Sequence, residues 1–399
     1  MSRPPSHIKV LFAGIMSLIL TLGIARFSYT PLLPIMQAQT YLGDASGGWL
    51  ATFNYIGYMC GALIAASISD LKLKDTLYRI GLVLALVTTA GMAFGESLWL
   101  WGIMRFFAGL SSAAGLLIGS GLILNWLIRH NHRMELGLHF SGVGLGIVLS
   151  AIAVDLMATY LSWDQQWLAL TGIGLLLFLP AWGWLPRPDS SPFTANGERM
   201  EDRPPQRSWI ILLFSSYFCA GFGYVISATF LVVIVEAEPR LQGYGELAWL
   251  VVGIAAAPAC FIWDRIARKT GELKALALAF GLQIAGIILP TLADTSLAVV
   301  MFSAALYGGT FIGIVSLMLT MMGKFYPTKP AKPMGRLTLS YGVSQIAAPA
   351  LAGTLAETYG TYNGSLYLAA AIMAIGLLLV IILAYREQPS SQPEYQRAG

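Results

Sequence analysis

The sequence predicts an all-α membrane protein of twelve transmembrane helices in two pseudo-symmetric six-helix bundles, both termini cytoplasmic. Three observations carry this. Twelve apolar stretches recur along the 399 residues, the basic residues of the connections alternate sides, and weak echoes relate the two halves. Of the 24 Lys and Arg, only Arg240 falls on the side opposite the rest, and Arg26 and Arg105, the two left unassigned to either side, lie well inside apolar stretches. Loops that stay in the cytoplasm collect Lys and Arg, so the connections carrying Asp44, Glu96, Asp164, Asp294 and Glu357 are expected outside.

Composition excludes a water-soluble particle. With 56% hydrophobic and 11% charged residues and a mean hydropathy of +0.68, the chain has less than half the charge a soluble domain carries, about 25%. Spans of about 20 residues match a hydrocarbon core of about 30 Å. The expected spans run 10–36, 47–69, 76–95, 98–128, 134–160, 167–185, 209–235, 247–263, 273–292, 296–324, 334–357 and 362–385. The first is expected to stay as a helix, because it lacks the small-residue cleavage pattern of a signal peptide. Pro31 and Pro34 are placed to kink it, and Gly137, Gly142, Gly144 and Gly146 of the fifth suit close helix contact.

Residues 186–208 are rich in Pro, Ser, Arg and acids and read as a cytoplasmic linker. It separates an N-terminal bundle, 1–185, from a C-terminal bundle, 209–388, and 389–399 is expected to be a disordered tail. Asp70 with its basic followers recurs as Asp264, and Ser141-Gly142-Val143-Gly144 is echoed by Tyr341-Gly342-Val343-Ser344. Such internal duplication is typical of transporters. The net charge of +4 comes from the inward loops. It points to anionic lipid headgroups and not to nucleic acid.

Particular motifs resemble the major facilitator superfamily (MFS) over nearly the whole chain. The segment Asp264-Arg265 with Arg268 and Lys269 is similar to the family's acidic-basic motif after helix 8, with Ala267 in place of glycine. The copy after helix 2 keeps Asp70, Lys72 and Lys74 but has Ala66 and Leu73 where the family has glycine. Arg105-Phe-Phe-Ala-Gly109 resembles the family's helix 4 motif. The runs 23–34, 139–146 and 221–230 resemble the YbfB/YjiJ branch. The resemblance implies the MFS fold, a monomer, alternating access, coupling to protons, and a bacterial inner-membrane location. It also implies gating roles for Asp70, Asp264, Arg265 and Arg268, the alternative being helix capping and plain positive-inside charge.

The buried charges carry the chemistry. A cation at mid-helix costs about 2.5–3.5 kcal/mol on insertion scales, so Arg26 and Arg105 are expected to face a cavity or a partner. At about 1.5 Å per residue, Arg26 lies roughly 24 Å above the inner boundary and Arg105 roughly 10 Å below the outer one, at similar depth. Two guanidinium groups about 4 Å apart repel by about 4 kcal/mol at an effective dielectric of about 20. Asp155 is the one carboxylate of the first half at about that depth. One reading pairs it structurally with an arginine; another, from the family's use of the helix 4 arginine, makes Arg105 and Asp155 the coupling pair. A third lets a substrate anion complete the balance at Arg26. Tyr29, Asn54, Tyr58, Tyr224, Tyr341 and Gln345 fall on faces that would line a substrate site or else glue helices together.

No cofactor is expected, because no phosphate-cradling Gly-Lys-Ser/Thr loop is present. With four histidines in the chain and no cluster of acids, no catalytic constellation emerges, so an enzyme is not expected. His130 and His132 read as a solvated turn, His139 as a packing residue or a proton relay, and Cys60, Cys219 and Cys260 as unpaired packing residues. The leading expectation is a secondary active transporter of a small organic solute, preferably anionic. Export of amphipathic drugs or metabolites and a non-translocating sensor are the alternatives.

Overall fold

A computed structural model describes residues 6–386 except 135, 192, 293–295 and 360. Glu135, Asp294, the 389–399 tail and the side chains of Pro34, Asp44 and Glu357 therefore lie outside the described residues. Twelve helical rods follow one another: α1 (residues 7–39), α2 (Asp44–Ser67), α3 (Leu71–Gly91), α4 (Leu98–Arg129), α5 (Gly137–Ala158) and α6 (Trp163–Trp184). They continue as α7 (Arg207–Ala237), α8 (Gly245–Thr270), α9 (Glu272–Thr291), α10 (Leu297–Lys324), α11 (Ala331–Tyr359) and α12 (Asn363–Arg386). Among the described residues, ten of these rods contain a stretch long and apolar enough to cross a membrane. The exceptions are α3, which opens with Lys72, Lys74, Asp75 and Arg79, and α11, whose first turns carry Lys332 and Arg336.

Polar residues mark where several helices start. Asp70 Oδ1 accepts the Leu73 N–H at 2.7 Å, so α3 begins five residues before the apolar run that predicted it. Ser162 and Gln165 form a capping box on α6. Helix α8 runs seven residues past the apolar stretch, to Gly271 at φ +92°, and so carries the whole Asp264–Lys269 motif on helix and not on loop.

Two helices widen into π geometry. Ile19–Phe27 of α1 and Ala114–Gly119 of α4 are π-helical. They cross where Gly115 packs against Thr21, and the Ser112 hydroxyl donates to the Thr21 carbonyl at 2.9 Å. A widened turn leaves carbonyls off the regular ladder, and buried carbonyls must find other donors.

The first six and last six helices meet most closely toward the Lys- and Arg-rich end, called here the basic face. A Cβ at Gly144 on α5 would strike the Ala257 backbone on α8, so glycine permits that crossing. Gly335 likewise packs on Ala66, Gly342 on Met59, and Gly121 on Ala331. Both echoed segments, 141–144 and 341–344, therefore touch this seam.

The 186–208 segment is strapped down. Arg129, at the end of α4, donates to the carbonyls of Asp189, Ser191 and Phe193 at 2.7–2.8 Å. Farther on, Asp202 accepts from the Thr328 hydroxyl at 2.8 Å, and Arg203 N–H donates to Phe325 O at 2.8 Å. A composition that argues against a packed core is thus compatible with order, because one buried arginine satisfies three loop carbonyls. Below it, Asp75 pairs with Arg79 and Arg187, while Arg79 donates to Trp182 O and Leu185 O, tying α3 to the end of α6.

Candidate substrate site and gate

Arg26 sits in the π segment of α1 with 7% of its surface exposed. Its guanidinium lies over three rings, Tyr55 at 5.0 Å, Tyr58 at 5.1 Å and Phe27 at 5.5 Å. Ring faces are negative, and a desolvated cation–π contact contributes about 2 kcal/mol, which offsets part of the cost of burying the charge. From the other half, Tyr224 on α7 is close enough to interact with Arg26 electrostatically. Tyr224 stacks on Phe311 at 5.2 Å and Phe311 on Tyr307 at 5.3 Å, while Tyr341 lies tilted against Tyr224 at 5.7 Å and Tyr217 at 4.6 Å. Gln345 is buried one turn beyond Tyr341 on α11. The rings of both halves close over Arg26 in this conformation.

Arg105 is held differently. Its Nη1 donates to Ala25 O at 3.1 Å and to Arg26 O at 3.4 Å, and the group lies 4.4 Å from the Tyr29 ring. Arg26 O is open to this bond because its partner in a π ladder would be residue 31, and Pro31 has no N–H to offer. Asn54 donates to Arg105 O at 3.0 Å, and Tyr29 donates to Gly47 O at 2.8 Å, so both tie helices together. Arg26 and Arg105 are near enough to repel. Among the described residues, no acidic side chain lies within 4 Å of either.

The Asp155 expectation therefore needs correction. Asp155 is exposed near the far end of α5, whereas Arg105 is buried among α1 carbonyls, and the two form no ion pair. The sequence argument matched depth along the helices but not the direction of each side chain around its axis.

The four motif residues at the basic face divide. Asp264 Oδ2 accepts the Gly137 N–H at 2.6 Å, so the end of α8 in one half grips the start of α5 in the other. Arg265 is exposed, with its guanidinium 5.0 Å from the Phe261 ring, and Arg268 is exposed. Asp70 departs from a clasp between halves: it is exposed and caps its own helix. The seam contact near it is made by Lys332, whose Nζ bonds Ser69 Oγ at 2.9 Å.

His139 is fully buried, its Nε2 2.7 Å from Ser120 Oγ, and its Nδ1 has no hydrogen-bond partner among the described residues. No group of three metal-ligating side chains occurs among the described residues. Sequence reasoning missed Phe27, Tyr55, Tyr217, Tyr307 and Phe311. The spacing of Tyr307 and Phe311, one turn apart, and of Tyr217 and Tyr224, two turns apart, placed them on common faces and was the available signal.

Two six-helix halves meeting at a glycine-lined seam, with a charged site buried between them, define a membrane transporter of the major facilitator class. Residues 18–381 match the profile of the family described as uncharacterised MFS-type transporter YbfB, and the chain belongs to that family. It is 25% identical to the uncharacterised MFS-type transporter YceJ of Bacillus subtilis over 86% of this chain and 82% of that protein. It is 24% identical to the niacin transporter NiaP of Acinetobacter baylyi, over 48% of this chain and 40% of that one. The structure of the human organic anion transporter MFSD10 superposes with a TM-score of 0.74 at 16% identity, covering 94% of this chain and 100% of that chain, a likeness of fold.

Proposed function

We propose that the protein is a secondary active transporter that moves a small organic anion, with an aromatic carboxylate fitting best, across the bacterial inner membrane. The observation that carries this reading is Arg26, buried beneath aromatic rings with no acidic partner among the described residues. A carboxylate entering between the halves pairs with Arg26 in a low-dielectric setting, while its ring takes stacking contacts from Tyr58, Tyr224 and Tyr341. The niacin transporter named above has a heteroaromatic carboxylate as its named solute, which agrees with this chemistry. Arg105 keeps the site positive by standing close to Arg26 while bonded to backbone carbonyls.

The basic face is taken as cytoplasmic. Alternating access then needs the Asp264 to Gly137 contact to break as the basic face opens, with α5 and α8 parting along Gly144 and Ala257. Uptake is driven by the proton gradient. The aromatic enclosure also suits a second reading, export of an amphipathic solute without charge selection.

Uptake into proteoliposomes separates these readings. A panel of radiolabelled aryl carboxylates, their neutral amides and aryl ammonium ions is offered to the wild type and to Arg26→Ala, with and without an imposed pH gradient. The proposal expects carboxylates to be preferred, stimulated by the gradient, and reduced at least about thirtyfold by Arg26→Ala, the loss of about 2 kcal/mol or more for one partner of a buried charged pair. Preference for cations, or equal transport of amides by both proteins, overturns it.

A further inference from the structure

Lys74 sits one turn into α3, ahead of the apolar run of that helix, and its side chain is fully buried. Its Nζ is enclosed by protein and has no hydrogen-bond partner among the described residues. The charged groups that act on it are Lys329 and Lys332, from the connection between α10 and α11 in the other half. Lys332 is half-buried and bonded to Ser69 Oγ at 2.9 Å, across the seam, and Ala331 beside it packs on Gly121. The acids nearest in sequence are otherwise engaged. Asp70 is turned to the Leu73 N–H, and Asp75 is paired with Arg79 and Arg187.

Three ammonium groups converging from two halves, one of them buried and unpaired, cost free energy as they stand. Burial, with the charges of Lys332 and Lys329 behind it, pushes the Lys74 ammonium from 10.5 down to about 7. An anion with several oxygens reverses each of these penalties at once, because it supplies acceptors to Lys74 Nζ and neutralises the two lysines beside it.

We propose that Lys74, Lys329 and Lys332 form an anion site at the seam of the basic face, taking the phosphate group of an anionic lipid headgroup or of a soluble phosphate, and that its occupant ties the two halves together. This site is separate from Arg26 and on the opposite side of the transport path from the outer entrance. Its occupancy favours the conformation closed at the basic face, since the lysines converge only when Ser69 and Lys332 meet.

The test is thermal unfolding of the purified full chain under two arms. In one, protein in delipidated neutral detergent receives inorganic phosphate, with chloride at matched ionic strength as reference. In the other, protein in phosphatidylcholine nanodiscs is compared with discs containing phosphatidylglycerol. Phosphate alone raising the midpoint identifies a soluble ligand, and phosphatidylglycerol alone a headgroup; either supports the site, by an expected shift of about 3 °C or more. Lys74→Met, which keeps the packing volume, and the double variant Lys329→Gln/Lys332→Gln should each lose the shift, whereas Arg26→Ala keeps it. Loss only in Arg26→Ala, equal shifts in wild type and both lysine variants, or no shift in either arm overturns the proposal. Should Lys74→Met fail to fold, the double variant, altered at a half-buried and an exposed lysine, decides alone.

Discussion

Replacing Asp264 by alanine should open the basic face. The carboxylate accepts the Gly137 N–H at 2.6 Å where Gly137 is buried, so the variant leaves that donor without its acceptor across the seam. An orphaned buried donor costs about 1–3 kcal/mol. Removing a negative charge from the N-terminus of α5 costs about 0.3–1 kcal/mol more. A central sum of about 2–3 kcal/mol is lost only from the closed arrangement, which shifts the equilibrium toward opening by about thirtyfold to about 150-fold. The reporter is Ala331→Cys, buried against Gly121 at the seam, in a background with Cys60, Cys219 and Cys260 replaced by serine. Its alkylation rate by a maleimide, measured in nanodiscs, should rise at least about tenfold in Asp264→Ala and less in Asp264→Asn, which keeps an acceptor. An unchanged rate in Asp264→Ala would refute the clasp.

Asp70→Ala serves as the contrasting case: loss of a helix cap lowers stability by about 1 kcal/mol, seen as a reduced melting midpoint, with the Ala331→Cys alkylation rate unchanged. Gly144→Val forces a side chain into the Ala257 backbone, an overpacking cost of about 1–3 kcal/mol against closure, so uptake should fall while expression and folding persist. Arg79→Ala removes two carbonyl bonds and one partner of the buried Asp75, and should lower the melting midpoint by an amount corresponding to about 3 kcal/mol. Lys74 gives a pH signature: its folded value, about 7, is below its unfolded 10.5, so between these the unfolded chain binds more protons. Stability in the absence of phosphate therefore rises with pH from about 7 toward 10.5, by at most about 1.4 kcal/mol per unit, and is level for this group below 7. The difference between wild type and Lys74→Met in melting midpoint against pH measures it; a flat difference above pH 7 contradicts it.

Helix number and class were legible because hydropathy over about 20 residues and the sidedness of Lys and Arg are strong, nearly context-free signals. Helix ends were less so: Asp70 starts α3 inside a charged run, and α8 continues through Asp264, since capping and tertiary contacts decide what hydropathy does not. The π turns of α1 and α4, which meet where Thr21 packs on Gly115, were invisible, because no residue type marks a π turn in the sequence. For the site, the cost of a mid-membrane charge correctly singled out Arg26 and Arg105 as buried, yet depth alone joined Arg105 to Asp155. Its true partners are backbone carbonyls, which carry no sequence signature. Lys74 looked like one more inward-loop cation; only the fold brings Lys329 and Lys332 to it across more than half the chain.

The claim at the centre of the account is that Arg26 selects for negative charge. Binding of an aryl carboxylate and of its carboxamide, nearly equal in shape and differing in charge, to purified wild type and Arg26→Gln by calorimetry at constant pH tests it directly. The wild type should prefer the carboxylate by at least about tenfold, about 1.4 kcal/mol, and Arg26→Gln should bind the two within about twofold of each other. A wild type that binds both alike, or a variant that keeps the full preference, would contradict it.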